Sequence, residues 1–205
     1  METVDNIRAL KMNGVIVVDN FLKEDECNKI LEGIDKDLWL NSKIVREDPE
    51  HGYYQTHSTA RTNRIYYANF FSSGIKKRIS VIENKLHKRF KISEKNFEAW
   101  QLSAFKRGEH FGFHLDCGCW EGDLSGEREK TILIYISTPE MGGETYFRAL
   151  NLYITPLRGR LVIWNNLLPD GNCNHAMIHA GLPVRSGTKI TLNTWIRQKN
   201  IVTTN

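Results

Sequence analysis

The sequence has no long apolar run, no block of basic residues, no low-complexity stretch and no internal repeat, and each absence narrows what the chain can be. Its first twenty residues carry Glu2, Asp5, Arg8, Lys11 and Asp19 without an uninterrupted apolar stretch. Neither a secretory signal nor a membrane span is therefore expected, and a cytoplasmic location is. Only four cysteines are present (Cys27, Cys117, Cys119 and Cys173). In a chain without an export signal they are expected to be reduced thiols rather than a disulfide framework. The basic residues are dispersed, so a net charge of +4 and a pI near 8.8 do not select a nucleic-acid partner. They still favour an anionic substrate or cosubstrate. A phosphate-cradling loop is missing too: Gly142-Gly143 reads as a turn entering a strand, where glycine supplies backbone freedom.

What is present is one domain's worth of ordinary globular sequence: 205 residues, 40% hydrophobic and 25% charged. A single core still grows at this size, so one domain over 1–205 is expected. Val15 to Val18 is a β-branched run that ends at Asp19-Asn20 and reads as a buried strand. Cys27, Ile30, Leu31 and Ile34 recur at three and four, which predicts a helix over 24–37. Ile75, Ile79, Ile82, Leu86 and Phe90 make a second helical stripe after a Ser73 cap, with lysines turned away from it. The polar, aperiodic stretch 41–62 is expected to be a long surface loop. From residue 97 onward the pattern changes to short β-type runs at 100–105, 131–137, 145–147, 152–154, 160–164 and 190–195, most of them separated by glycine or proline. Many short strands without alternating helices predict a mainly β, α+β fold, a sandwich or a jelly roll. It would have a helical support region at about 1–95 and a β core at about 96–198.

His114-Leu-Asp116 places an imidazole and a carboxylate at i and i+2, on one face of a strand. Two imidazoles and one carboxylate on one face of an octahedron leave three open positions, the arrangement of non-haem iron(II) oxygenases. The second imidazole has two candidates downstream, His175 and His179. His179 opens the segment His179-Ala-Gly-Leu-Pro-Val-Arg-Ser-Gly-Thr-Lys189, which crosses a Pro/Gly turn before a strand. A lysine there is placed to meet a distal carboxylate, because an unpaired buried charge is costly.

At these residues the chain resembles the prolyl 4-hydroxylase branch of the 2-oxoglutarate/iron(II) dioxygenases. The resemblance runs from Asn20-Phe-Leu and Glu24-Asp-Glu-Cys27 to Trp195-Ile-Arg197. It is strongest in Phe105-Lys-Arg-Gly-Glu-His-Phe-Gly-Phe-His114-Leu-Asp116, Thr131-Ile-Leu-Ile-Tyr-Ile, Gly142-Gly-Glu-Thr-Tyr-Phe147 and the His179 to Lys189 segment. It implies a double-stranded β-helix (jelly roll, cupin-like) with N-terminal helices packed on the major sheet. It also implies Fe(2+) bound by His114, Asp116 and His179, with 2-oxoglutarate and O2 as cosubstrates and ascorbate as an accessory reductant. Lys189 and Thr145 would hold the distal carboxylate of 2-oxoglutarate, and Trp195 would line the pocket. Arg61 resembles an arginine of the family's substrate loop, and Arg64 and Tyr66 beside it are read as further substrate contacts. Relative to Lys189, the spacing selects His179 over His175, which is left at the pocket rim.

The resemblance implies hydroxylation of a prolyl residue in a peptide or protein, with release of succinate and CO2. Two departures qualify the pocket: Phe105 and Phe111 stand where the family usually has tyrosine, so two hydroxyls are missing. Such a change suits a different molecule, and a free or carrier-bound amino acid is the competing substrate. A nucleic-acid demethylase is disfavoured because the cosubstrate cation is Lys189, and a non-catalytic metal-binding module because the triad and Lys189 are intact. Cys117-Gly-Cys119 and Cys173-Asn-His175 allow three fates, namely ordinary thiols, a structural zinc or a redox switch, and thiols are expected.

Overall fold

A computed structural model of the chain describes residues 14–48, 52–120 and 122–201. Residues 1–13, on most of which the expected lack of a signal rests, lie outside this range. Two antiparallel sheets carry the architecture. The major sheet has seven strands in the order β1 (Val15–Val18), β12 (Leu161–Asn165), β8 (Arg128–Tyr135), β15 (Lys189–Arg197), β6 (Gln101–Phe105), β5 (Arg64–Tyr67) and β2 (Leu40–Asn41). The minor sheet runs β11 (Leu152–Ile154), β10 (Thr145–Phe147), β13 (His179–Gly181) and β7 (Phe111–His114). A two-stranded pair joins β9 (Met141–Gly142) to β14 (Val184–Ser186). This is the mainly β, double-stranded β-helix that the family resemblance implies, one of the two architectures the strand pattern allows.

Side-chain alternation separates two cores. On β8, β12 and β15, Ile132, Ile134, Leu161, Ile163, Leu192 and Ile196 face the helices α1 (Glu24–Glu32) and α2 (Ser73–Phe90) in one apolar cluster. The opposite faces of β8, β10 and β12 contribute Tyr135, Phe147, Val162 and Trp164 to a second cluster between the sheets. On β15 the inward positions are polar: Lys189, Thr191, Asn193 and Trp195 point into a cavity while Leu192 and Ile196 seal the back. Period-two alternation therefore makes one strand serve both core and site.

α2 buries Ile75, Ile79, Ile82 and Leu86, as its stripe predicts. At about 1.5–3 kcal/mol per buried aliphatic side chain, this face fixes the helix on the sheet. Its cap is Ser72 rather than Ser73: the Ser72 hydroxyl oxygen accepts from the Ile75 N–H at 3.3 Å. α1 stops at Glu32 instead of continuing to 37. Gly33 follows, and a Cβ there would lie 2.8 Å from Ile75 of α2, so the crossing of the two helices requires glycine.

The expected loop over 41–62 is corrected. It contains a hairpin of β3 (Ile44–Asp48) and β4 (Gly52–Thr56), paired from Ile44↔Thr56 to Asp48↔Gly52. The hairpin forms a sheet of its own, and Val45 and Tyr54 are exposed. Without a buried face it imposes no apolar alternation on its sequence, which is why the strands were not read.

Candidate active site

β7 and β13 are antiparallel neighbours with His114 directly opposite His179, and their rings stand 4.2 Å apart. Asp116 follows β7 by two residues. The ligand atoms of the three side chains lie within 4.8 Å of one another, the only such cluster of metal-binding type among the described residues. Each histidine is oriented alike: Nδ1–H of His114 donates to the Gly112 carbonyl and Nδ1–H of His179 to the Met177 carbonyl, both at 2.9 Å. The Nε2 lone pairs are thereby directed toward the carboxylate, 3.6 and 3.8 Å from Asp116 oxygens. Burial, then the neighbouring His179, lowers the His114 pKa to about 3, so its ring is a neutral donor. Burial alone would raise the Asp116 carboxyl, but His179, His114, Arg128 and the Thr131 hydroxyl outweigh it and hold it below the usual carboxylate range. Thr131 Oγ1 donates to Asp116 at 2.6 Å and is itself held by the Asn166 amide at 2.9 Å. Two imidazoles held with Nε2 toward an ionised carboxylate fit iron(II).

The triad opens into a cavity of about 70 Å³ between the sheets, which Lys189, Thr145, Trp164 and Trp195 also line. Lys189 is 2% exposed, and its ammonium donates to the Gly143 carbonyl at 2.9 Å and lies 4.1 Å over the Phe105 ring. Gly142 and Gly143 both have positive φ, so the tight turn that offers this carbonyl depends on them. Burial brings the Lys189 pKa down to about 7, opposed by Glu144. A cation buried against a ring and one carbonyl fits an anionic partner supplied from outside the chain. Thr145 is buried beside it, and its hydroxyl lies 2.6 Å from that of Tyr135.

With this geometry in view, the likeness to known proteins is direct. The sequence model of the 2OG-Fe(II) oxygenase superfamily matches residues 100–197, the stretch that holds the triad, Thr145, Lys189 and Trp195. The chain carries a 2OG-Fe(II) oxygenase domain over this stretch. This oxygenase is 22% identical over 207 residues to Prolyl 4-hydroxylase 13 of Arabidopsis thaliana, covering 90% of its own length and 71% of the plant protein. It is 25% identical over 195 residues to the Putative prolyl 4-hydroxylase of Acanthamoeba polyphaga mimivirus, covering 91% and 75%. The crystal structure of viral collagen prolyl hydroxylase vCPH from Paramecium Bursaria Chlorella virus-1, in its 2OG complex, superposes with a TM-score of 0.71 at 27% identity, covering 92% and 98% of the two chains. Iron(II) and 2-oxoglutarate are accordingly the cofactor and cosubstrate of this dioxygenase.

Of the remaining residues singled out in the sequence, the oxygenase brings two to the pocket and leaves three away. Arg61 lies at the mouth, its guanidinium 4.3 Å over Phe111, whose ring stacks on His114 at 3.6 Å. It donates to Asn63 and to the Lys43 carbonyl, and burial lowers its pKa to about 10. Trp195 lines the cavity beneath Arg128, whose guanidinium lies 3.7 Å over the ring and pairs with both Glu98 oxygens at 2.7 Å. Arg64 and Tyr66 are corrected. They pair with Ala104 and Leu102, on the helix side of the major sheet; Arg64 is exposed, while Tyr66 is 1% exposed in the helix-facing core, donating to the Phe70 carbonyl at 2.9 Å. The neighbouring Tyr67, opposite Gln101, instead lines the groove outside the catalytic cavity. Alternation from Phe105 through Ser103 to Gln101 was the available signal. His175 sits exposed in a short turn and does not join the triad.

The cysteine expectation is corrected as well. Cys117 and Cys173 form a disulfide across a separation of 56 residues, with Cα atoms 5.9 Å apart. It ties the residue after Asp116 to the loop before His179, so neither sulfur is available as a thiol or zinc ligand. Sequence separation hid the pairing. Thr131 and Tyr135 were missed as site residues because, within an apolar β run, nothing marks a particular hydroxyl as facing a carboxylate.

Proposed function

We propose that the protein hydroxylates proline at C4 within a peptide or protein, releasing succinate and CO2. The observation that carries the reading is a buried ammonium, Lys189, in the same small cavity as a His–Asp–His cluster, in a chain whose relatives are named prolyl 4-hydroxylases. His114, Asp116 and His179 are assigned as iron ligands. Lys189 and Thr145 are assigned to the distal carboxylate of 2-oxoglutarate, with Trp195 closing the side of the pocket. Iron(II), when bound, supplies oxidation of an unactivated C–H bond by dioxygen while 2-oxoglutarate is decarboxylated. The chain's own residues set the conditions: His114 stays neutral, Asp116 stays ionised, and Lys189 gains its full charge as the dicarboxylate enters.

The substrate is assigned to the groove of about 480 Å³ outside the cavity, walled by the β3–β4 hairpin, Arg61, Tyr67, Trp120 and Phe113. Such an open trough suits an extended peptide. Phe111, lacking a hydroxyl, offers a stacking face between Arg61 and His114 instead of a hydrogen bond. The test is anaerobic loading with iron(II) and 2-oxoglutarate, then oxygen, with prolyl peptides and free amino acids as parallel substrates, read by mass spectrometry. Peptides are expected to gain one oxygen. Oxidation of free amino acids alone would replace the peptide reading, and no succinate with either would remove both.

A further inference from the structure

Three of the four cysteines gather around the segment that follows Asp116, and neither apolar cluster includes any of the three. Cys117, the residue after Asp116, is buried and bonded to Cys173 in the loop that leads to His179. Cys173 Sγ lies 3.6 Å from where a Cβ would stand on Gly118, whose φ is +91°. The bridge therefore crosses that glycine, and Cys119 on its other side keeps its thiol. The bridge also meets the hydrogen bonds that support Asp116. The Asn166 side chain donates to Thr131, and Thr131 donates to Asp116. The Asn166 carbonyl accepts from the N–H of Asn174, next to Cys173, at 2.7 Å and lies 3.3 Å from Cys117 Sγ. A thiol released at Cys117 would find that acceptor already in place.

We propose that the Cys117–Cys173 bridge is a thiol–disulfide exchange site, reduced reversibly by a dithiol, whose state sets the iron(II) affinity of the triad. The inference rests on the ligand assignment above. Cys173 is half-buried whereas Cys117 is 6% exposed, so an incoming thiolate reaches the Cys173 sulfur. The sulfur–sulfur bond breaks, Cys117 leaves as a thiolate and takes up a proton, and a mixed disulfide joins the reductant to Cys173. The reductant's second thiolate then displaces Cys173, which is protonated in turn. Two electrons have passed from the dithiol, which leaves as a disulfide, to the two cysteines. The loop keeps its fold when the bridge is cut, because Glu127 accepts from the Gly118 and Trp120 N–H groups at 3.1 and 2.7 Å. Asp116, however, loses the covalent tie at its neighbour and is left to Thr131. Removing one such support of a metal ligand weakens metal binding about 10–100-fold.

The test uses the Cys119→Ser chain, in which Cys173 has no second partner close by. One sample is kept oxidised, and another is reduced anaerobically with dithiothreitol that is then removed by desalting. Iron(II) alone is titrated into each by calorimetry, so no turnover is needed. The oxidised form is expected to bind iron(II) about tenfold or more tightly than the reduced form, and reoxidation with oxidised glutathione should restore the difference. A further Cys173→Ser substitution should give the weaker affinity under both treatments. Equal affinities of the oxidised and reduced forms overturn the proposal, as does a difference that survives Cys173→Ser. Full alkylation of Cys117 and Cys173 without reductant overturns it as well, since no bridge would then be present. Loss of the far-UV circular dichroism on reduction would make the bridge a requirement of the fold and also overturn it. The ligand assignment is judged separately: iron(II) affinity that His179→Ala leaves unchanged in the oxidised form would remove that assignment, and the proposal with it.

Discussion

Lys189 shows how much one buried charge can be asked to do. It is enclosed, with a carbonyl and a ring for company, and burial brings its pKa to about 7. On the proposed pairing of Lys189 with the distal carboxylate, 2-oxoglutarate affinity should be full below pH 7 and weaken as pH rises through that value, as calorimetry across pH 6–9 would read. The same depression acts on stability. The unfolded chain binds this proton up to about pH 10 and the folded chain only to about 7, so the cosubstrate-free protein gains stability as pH rises through that window. Lys189→Met should raise the melting temperature, by the equivalent of roughly 1 kcal/mol or more, and abolish 2-oxoglutarate binding. A variant that loses binding without gaining stability would contradict this account. Thr131 acts through Asp116: Thr131→Val removes the 2.6 Å hydrogen bond and should weaken iron(II) affinity about 10–100-fold, with Thr131→Ser largely restoring it. Among the ligands, His179→Ala should abolish product and His175→Ala leave most of it, since His175 is exposed outside the triad.

The elements divide into those that carry stability and those that place ligands. α2 is fixed by its apolar stripe and its Ser72 cap; Ser72→Ala should cost about 1 kcal/mol and Leu86→Ala about 2–5 kcal/mol in denaturant unfolding, with iron binding preserved. β7 and β13 are only four and three residues long, too short to hold two histidines in register by themselves. The Cys117–Cys173 disulfide ties the segments that follow β7 and precede β13. Cys173→Ser should lower stability by about 2–4 kcal/mol and weaken iron binding in the same protein. Unchanged iron affinity would confine the disulfide to stability.

At the scale of the whole molecule, the two-sheet architecture was legible because burial on one face imposes alternation, and the helices because burial on one stripe imposes a period of three and four. His114-Leu-Asp116 was legible because side chains two positions apart are near neighbours in the chain, although His114 ends β7 and Asp116 lies just past it, so the expected shared strand face is corrected. The β3–β4 hairpin was not, since nothing buried constrains its sequence, and Tyr66 was misassigned in place of Tyr67 because a one-residue step on a strand changes the face. By itself the sequence determined the strands and stripes, the paired ligands His114 and Asp116 and the chemistry on offer, all set by near neighbours in the chain. Only the tertiary structure decided that Cys117 finds Cys173, that Thr131 supports Asp116 and that Lys189 is sealed from water, while it set His179, which the spacing to Lys189 had selected over His175, opposite His114. Each of those facts depends on which distant strands lie side by side, and that is decided by the packing of the two sheets as a whole.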